Sequence, residues 1–110
     1  MHPVEEPKNL EAVMGLIMHS GNAKSFGMEA VQAAKEGDFE KADQKLEEAN
    51  EELVNAHHAQ TGLLTQEASG EKFEVTLLMV HAQDHLMNAI TFLDLVKELI
   101  DVHKKVNVRD

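Results

Sequence analysis

Apolar residues recur every three or four positions through most of this chain, and the rhythm is broken at Gly37-Asp38 and again at Ser69-Gly70-Glu71-Lys72. Leu10, Val13, Met14, Ile17 and Met18 begin it, and Met28, Val31 and Ala34 carry it on. That spacing predicts a first helix over residues 10–36. Gly15, Gly21 and Gly27 lie inside it, each weakening a helix by roughly 1 kcal/mol against Ala. Close packing of backbones at those points is one reason to keep them and a kink near Gly21 is another; a continuous helix is expected. Gly37 suits the left-handed position that ends a helix, and Asp38 suits the N-cap of the next.

A second helix is expected over residues 39–68. Phe39, Ala42, Leu46, Ala49, Leu53, Ala56, Gln60 and Leu63 form a heptad stripe, with Gln60 as its polar interruption and His57 a turn before it. Lys41, Lys45, Glu48 and Glu52 fall on the opposite, solvated face. The third and most apolar segment, residues 73–105, has two apolar faces. Leu78, His81, His85, Phe92, Val96 and Leu99 lie along one, and Leu77, Asp84, Thr91, Leu95 and Val102 along the other. A helix apolar on two sides calls for more than one neighbour. Short links make successive helices antiparallel. The expectation is an all-α, antiparallel three-helix bundle with one apolar surface left for self-association. Residues 1–8 read as a flexible extension, 9–105 as one domain and 106–110 as a tail.

Composition narrows the function. The chain has 110 residues and a net charge of -10. That balance argues against nucleic acid and against an anionic membrane surface, both of which need a basic face. There is no Cys, which excludes thiolate metal sites and a Cys nucleophile. The opening residues lack the basic and apolar pattern of a secretory leader, and no run approaches membrane-spanning length. A cytoplasmic protein is expected.

One stretch calls for a chemical explanation. His81, Asp84 and His85 share a helix face inside the apolar run from Leu77 to Met87. Three roles suit them. The histidines can bind a metal with Asp84 as a third ligand, drawing a further one from His57 or Glu67. An imidazole can carry a phosphoryl group, given an exposed nitrogen and a neighbour that fixes the tautomer. Or the histidines are hydrogen-bonded structural residues with Asp84 as their partner. Spacing alone leaves all three open. Met14, Met18, Met28, Met79 and Met87 read as core filler, those near His81 doubling as an adaptable docking surface. His2, His19, His58 and His103 have no such constellation around them.

The run Val80-His81-Ala82-Gln83-Asp84-His85-Leu86-Met87 resembles the signature of enzyme IIA of the lactose/cellobiose family of the bacterial phosphoenolpyruvate-dependent sugar phosphotransferase system. Met14-Gly15-Leu16-Ile17 with Ser20-Gly21-Asn22-Ala23-Lys24-Ser25, then Gly37-Asp38-Phe39, Ala56-His57 with Gln60-Thr61, and Glu67-Ala68-Ser69-Gly70 extend the likeness over about residues 10–105. The resemblance implies a phosphotransferase component that assembles as a homotrimer of three-helix subunits. It implies that His81 takes a phosphoryl group on its outer ring nitrogen from phospho-HPr. The group passes to a cysteine of enzyme IIB, which serves the membrane component IIC during uptake of a β-linked disaccharide of the lactose, cellobiose or chitobiose class. It places Asp84 on the trimer axis, where three copies share Mg²⁺ or another divalent cation. Gln60, His57 and His85 are candidates for orienting the phosphoryl group. The alternative is a metal-binding or purely structural helical oligomer.

Overall fold

In a computed structural model describing residues 9–72 and 74–108, three helices run in chain order: α1 (Leu10–Lys35), α2 (Phe39–Ala68) and α3 (Leu77–Val108). Residues 1–8, the expected extension, and Phe73, the expected start of the third helix, lie outside the described residues. The molecule measures 68 × 30 × 19 Å. A helix with its side chains is roughly 10 Å across, so the thin dimension holds two of them. Each helix therefore covers its neighbours along one seam and leaves another side open.

Both junctions are closed by the same device. Gly37, at φ 80°, follows α1; its N–H donates to the Ala34 carbonyl and that of Asp38 to the Ala33 carbonyl. Gly70, at φ 101°, follows α2; its N–H donates to the Glu67 carbonyl and that of Glu71 to the Gln66 carbonyl. This paired pattern satisfies the last carbonyls of a helix and needs a left-handed residue, which Gly supplies without steric cost. Asp38 then caps α2 by accepting from the Lys41 N–H at 3.1 Å. The first link behaves as the sequence predicts.

The second link is longer than expected. Helix α3 starts at Leu77, where Thr76 Oγ1 accepts from the Met79 N–H at 3.1 Å. Thr is a good N-cap residue, and the β-branched Val75 and Thr76 before Leu77 favour extended backbone. At its other end α3 continues past the expected Lys105 through Val108, so the first residues of the expected tail are helical.

The core is rich in Ala, which lets the helices approach closely. One cluster joins Ala23, Ala30, Ala34, Ala42 and Ala49 to Leu93, Val96 and Ile100; a second joins Val13, Leu16, Ala56 and Leu63 to Ala82 and Leu86. Helix α1 is continuous, as expected. Close packing explains Gly27 alone: a Cβ there would meet Leu93 Cδ2 at 2.8 Å and Phe92 Cε2 at 2.9 Å. At Gly15 and Gly21 a Cβ would meet no side chain or neighbouring helix within 4 Å among the described residues.

Three expectations about faces need correction. The buried seam of α3 is Ala82, Leu86, Ala89, Leu93, Val96 and Ile100; it shares Val96 with the first face read from the sequence and is otherwise displaced from that face, away from the second. Large side chains drew the reading outwards, whereas Ala marks where the neighbouring backbone comes closest. Met14, Met18, Met28 and Met87 are exposed, and Met79 alone of the five packs against the core. Lys45, Glu48 and Glu52 are half-buried. Lys45 bridges Glu29 and Glu48, and Glu52 meets His19. Glu48 first, then Glu29, holds the Lys45 ammonium above its ordinary range.

Candidate functional site

The first turns of α3 carry the site, and the packing beneath them fixes its direction. Ala82 and Leu86 are wholly buried against α1 and α2. Anchoring those positions turns His81, Asp84 and His85 away from the core. His81 and Asp84 are exposed, and His85 is half-buried. An exposed imidazole at an edge of the bundle can meet another protein; a sealed one cannot.

The two rings touch. His81 Nε2 and His85 Nε2 are 3.1 Å apart, with ring centroids at 4.5 Å and planes at 88°. Two neutral imidazole nitrogens at that distance share one hydrogen: one is N–H and the other presents its lone pair. The turn spacing read from the sequence is therefore a direct contact. Asp84 takes no part in it. Among the described residues its carboxylate makes no hydrogen bond or ion pair, so the expectation that it partners the histidines does not hold.

Gln60 approaches from α2. Its Nε2 donates to Gln83 Oε1 at 2.8 Å, half-buried, and so ties α2 to the turn that bears His81. In this chain Gln60 reaches the site through Gln83 rather than by touching a histidine. Gln83 sits inside the quoted signature, yet sequence reasoning gave it no role; an amide facing the polar break of the α2 stripe was the available signal. His57 and Glu67 are exposed on α2. Among the described residues no three His, Asp or Glu side chains of a single chain converge as a metal site. The reading in which His57 or Glu67 completes an ion site with His81 and His85 therefore has no support within one chain.

Sequence reasoning also missed His19. Its Nδ1 lies 2.5 Å from Glu52 Oε2, joining α1 to α2. The two sit on facing helices with no shared motif, and nothing in their spacing reveals the pair.

Apolar side chains surround the His81 turn. Leu77, Val80 and Met87 are exposed on α3, and the same open face continues through Leu95, Leu99, Val102 and Val106. Patches of this extent mark surfaces that meet a partner. Among the described residues no helix is long and apolar enough to cross a membrane.

Comparison with known proteins gives a consistent result. The family model described as PTS system, Lactose/Cellobiose specific IIA subunit, matches residues 11–104. The lichenan-specific phosphotransferase enzyme IIA component of Bacillus subtilis (strain 168) is 54% identical over 96 residues, covering 87% of each chain. The crystal structure of the PTS cellobiose-specific enzyme IIA from Bacillus anthracis superposes with a TM-score of 0.93 at 46% identity, over 96% of this chain and 97% of that one. A solution structure of the IIA(chitobiose)–HPr complex, from the N,N'-diacetylchitobiose branch of the Escherichia coli phosphotransferase system, gives a TM-score of 0.75 at 38% identity, over 94% and 99% of the chains.

Proposed function

The chain belongs to the lactose/cellobiose-specific IIA family of the sugar phosphotransferase system, and from that premise we propose that it is a phosphocarrier acting through His81. The observation that carries the reading is an exposed imidazole on a helix whose neighbouring turns are fixed by buried Ala82 and Leu86. His81 Nε2 attacks the phosphorus of phospho-HPr, an N–P bond forms, and the donor imidazole leaves with its electron pair. The reverse geometry then delivers the group to a cysteine of the cognate enzyme IIB, which serves the membrane component IIC. Such exchange is mostly positioning and charge stabilisation around an in-line displacement. Both visiting proteins can supply stabilising groups, so this chain needs no nucleotide loop. The structure of a relative in complex with HPr supports HPr as donor. Relatives named for cellobiose, lactose and N,N'-diacetylchitobiose support a β-linked disaccharide as the sugar imported, while relatives named for lichenan and galactose keep the choice of sugar open. The cytoplasm is the compartment such a carrier requires.

A homotrimer fits this reading. The open face of α3 places Leu77, Val80, Met87, Leu95 and Val102 along one stripe, and Asp84 interrupts it. Threefold closure would cover the stripe and bring three Asp84 carboxylates together. One carboxylate cannot hold a divalent ion; three could, and Mg²⁺ or a similar hard cation would offset their repulsion. The transfer step does not pass through that ion. Gln60 and His57 stay candidates for contacting the phosphoryl group, Gln60 by way of Gln83.

The test is incubation with labelled phosphoenolpyruvate, enzyme I and HPr. One phosphoryl group per chain, stable in alkali and lost in acid, is the expected result. No label with competent partners would refute the function.

A further inference from the structure

We infer that His85 is a positioning residue that sets the tautomer of His81: its Nε2–H donates to the Nε2 of His81, holding the His81 hydrogen on Nδ1 and the outer lone pair ready for phosphorus. This rests on the reading of His81 as the phosphoryl carrier.

The inference comes from the contact of two like atoms. The Nε2 atoms lie 3.1 Å apart, and one hydrogen is available to the pair when both rings are neutral. If His81 held it, its Nε2 would be a donor with no lone pair in the ring plane, and attack would first need a proton shift. If His85 holds it, His81 is the Nδ1–H form and its Nε2 keeps its one in-plane lone pair, which phosphorus reaches by displacing a hydrogen bond and with no proton shift. The near-perpendicular rings, at 88°, let a ring-edge N–H of His85 point at the His81 nitrogen without stacking over it. His85 is also the more buried of the two, so its ring is the better anchored.

The transfer then balances with no change in protonation. The His81 Nε2 lone pair forms the N–P bond, and the P–N bond to the donor imidazole breaks with its electrons returning to that nitrogen. The His81 Nδ1 hydrogen stays in place, and the ring carries the positive charge beside the phosphoryl dianion. His85 keeps its hydrogen. As phosphorus takes the lone pair, the His85 N–H loses its first acceptor and gains a phosphoryl oxygen as its next, a charge-assisted bond stronger than the first. The second histidine is thus spatially coupled to both states of the carrier without accepting phosphorus itself.

Nitrogen-15 NMR of the full-length, histidine-labelled protein at about pH 8, where an ordinary His is neutral, reads the tautomer directly. His81 signals are identified by their loss in His81→Gln. The expected spectrum shows His81 protonated on Nδ1. His85→Phe should convert His81 to the Nε2–H form, which free imidazole side chains prefer, and slow phosphoryl acceptance by about tenfold, the worth of one hydrogen bond. His85→Gln, whose amide nitrogen can occupy the place of Nε2, should keep both the Nδ1–H form and most of the rate. A wild-type His81 protonated on Nε2, or a tautomer indifferent to His85→Phe, overturns the inference. Should His85→Phe fail to fold, the wild-type spectrum alone decides. Phosphoryl transfer to a residue other than His81 would instead overturn the functional reading, and it is measured separately by locating the group.

Discussion

Gln60 on α2 and Gln83 on α3 are joined by a 2.8 Å hydrogen bond between side-chain amides, two residues from the ring that we take to carry phosphorus. The bond puts the polar break in the α2 stripe to use, because a half-buried amide costs stability unless it is paired. Gln60→Ala should lower unfolding stability by about 1 kcal/mol, and so should Gln83→Ala. The double variant should cost less than the sum, giving a coupling energy of roughly 0.5–1.5 kcal/mol in denaturant titrations. Strict additivity would show that the two amides act independently.

Gly27 and Gly21 lie in the same helix and should respond oppositely to a methyl group. At Gly27 the added Cβ would fall 2.8 Å from Leu93 and 2.9 Å from Phe92, so Gly27→Ala should destabilise by about 1–3 kcal/mol. At Gly21 no described side chain or neighbouring helix would lie within 4 Å of an added Cβ, so Gly21→Ala should gain up to roughly 1 kcal/mol of helix propensity. Thermal unfolding of the two variants checks the difference in sign. Equal destabilisation would place a further neighbour over Gly21.

Asp84 is exposed and, among the described residues, unpaired, on the open apolar face of α3. Replacing it with Leu should preserve or strengthen self-association, since repelling carboxylates are exchanged for apolar packing. Sedimentation equilibrium in the presence of a chelator gives the clearest contrast. The proposed trimer of the unmodified chain should weaken there, and that of Asp84→Leu should not. Monomers from Asp84→Leu would count against an axial position.

The fold was legible where turn chemistry and spacing act locally. Gly37, Asp38 and Gly70 announce their turns because a left-handed residue and a capping carboxylate have few substitutes. The contact between His81 and His85 was legible as one helical turn. The start of α3 was misplaced because Phe73 invites an apolar reading, while the capping hydroxyl of Thr76 fixes the boundary. The faces of α3 were misread because the buried seam is marked by Ala82 and Ala89 as much as by Leu86 and Leu93. Size reports which residues need covering, and only the neighbouring helices determine where the cover is. The pairs Gln60–Gln83 and His19–Glu52 join different helices, so no local pattern in the chain announces them.

The central claim concerns a single nitrogen. After reaction with phosphoenolpyruvate, enzyme I and HPr, nitrogen–phosphorus coupling in NMR of the labelled protein should appear on Nε2 of His81, and it should vanish in His81→Ala. Coupling on any other nitrogen, or a His81→Ala chain that still takes up one phosphoryl group, would contradict it.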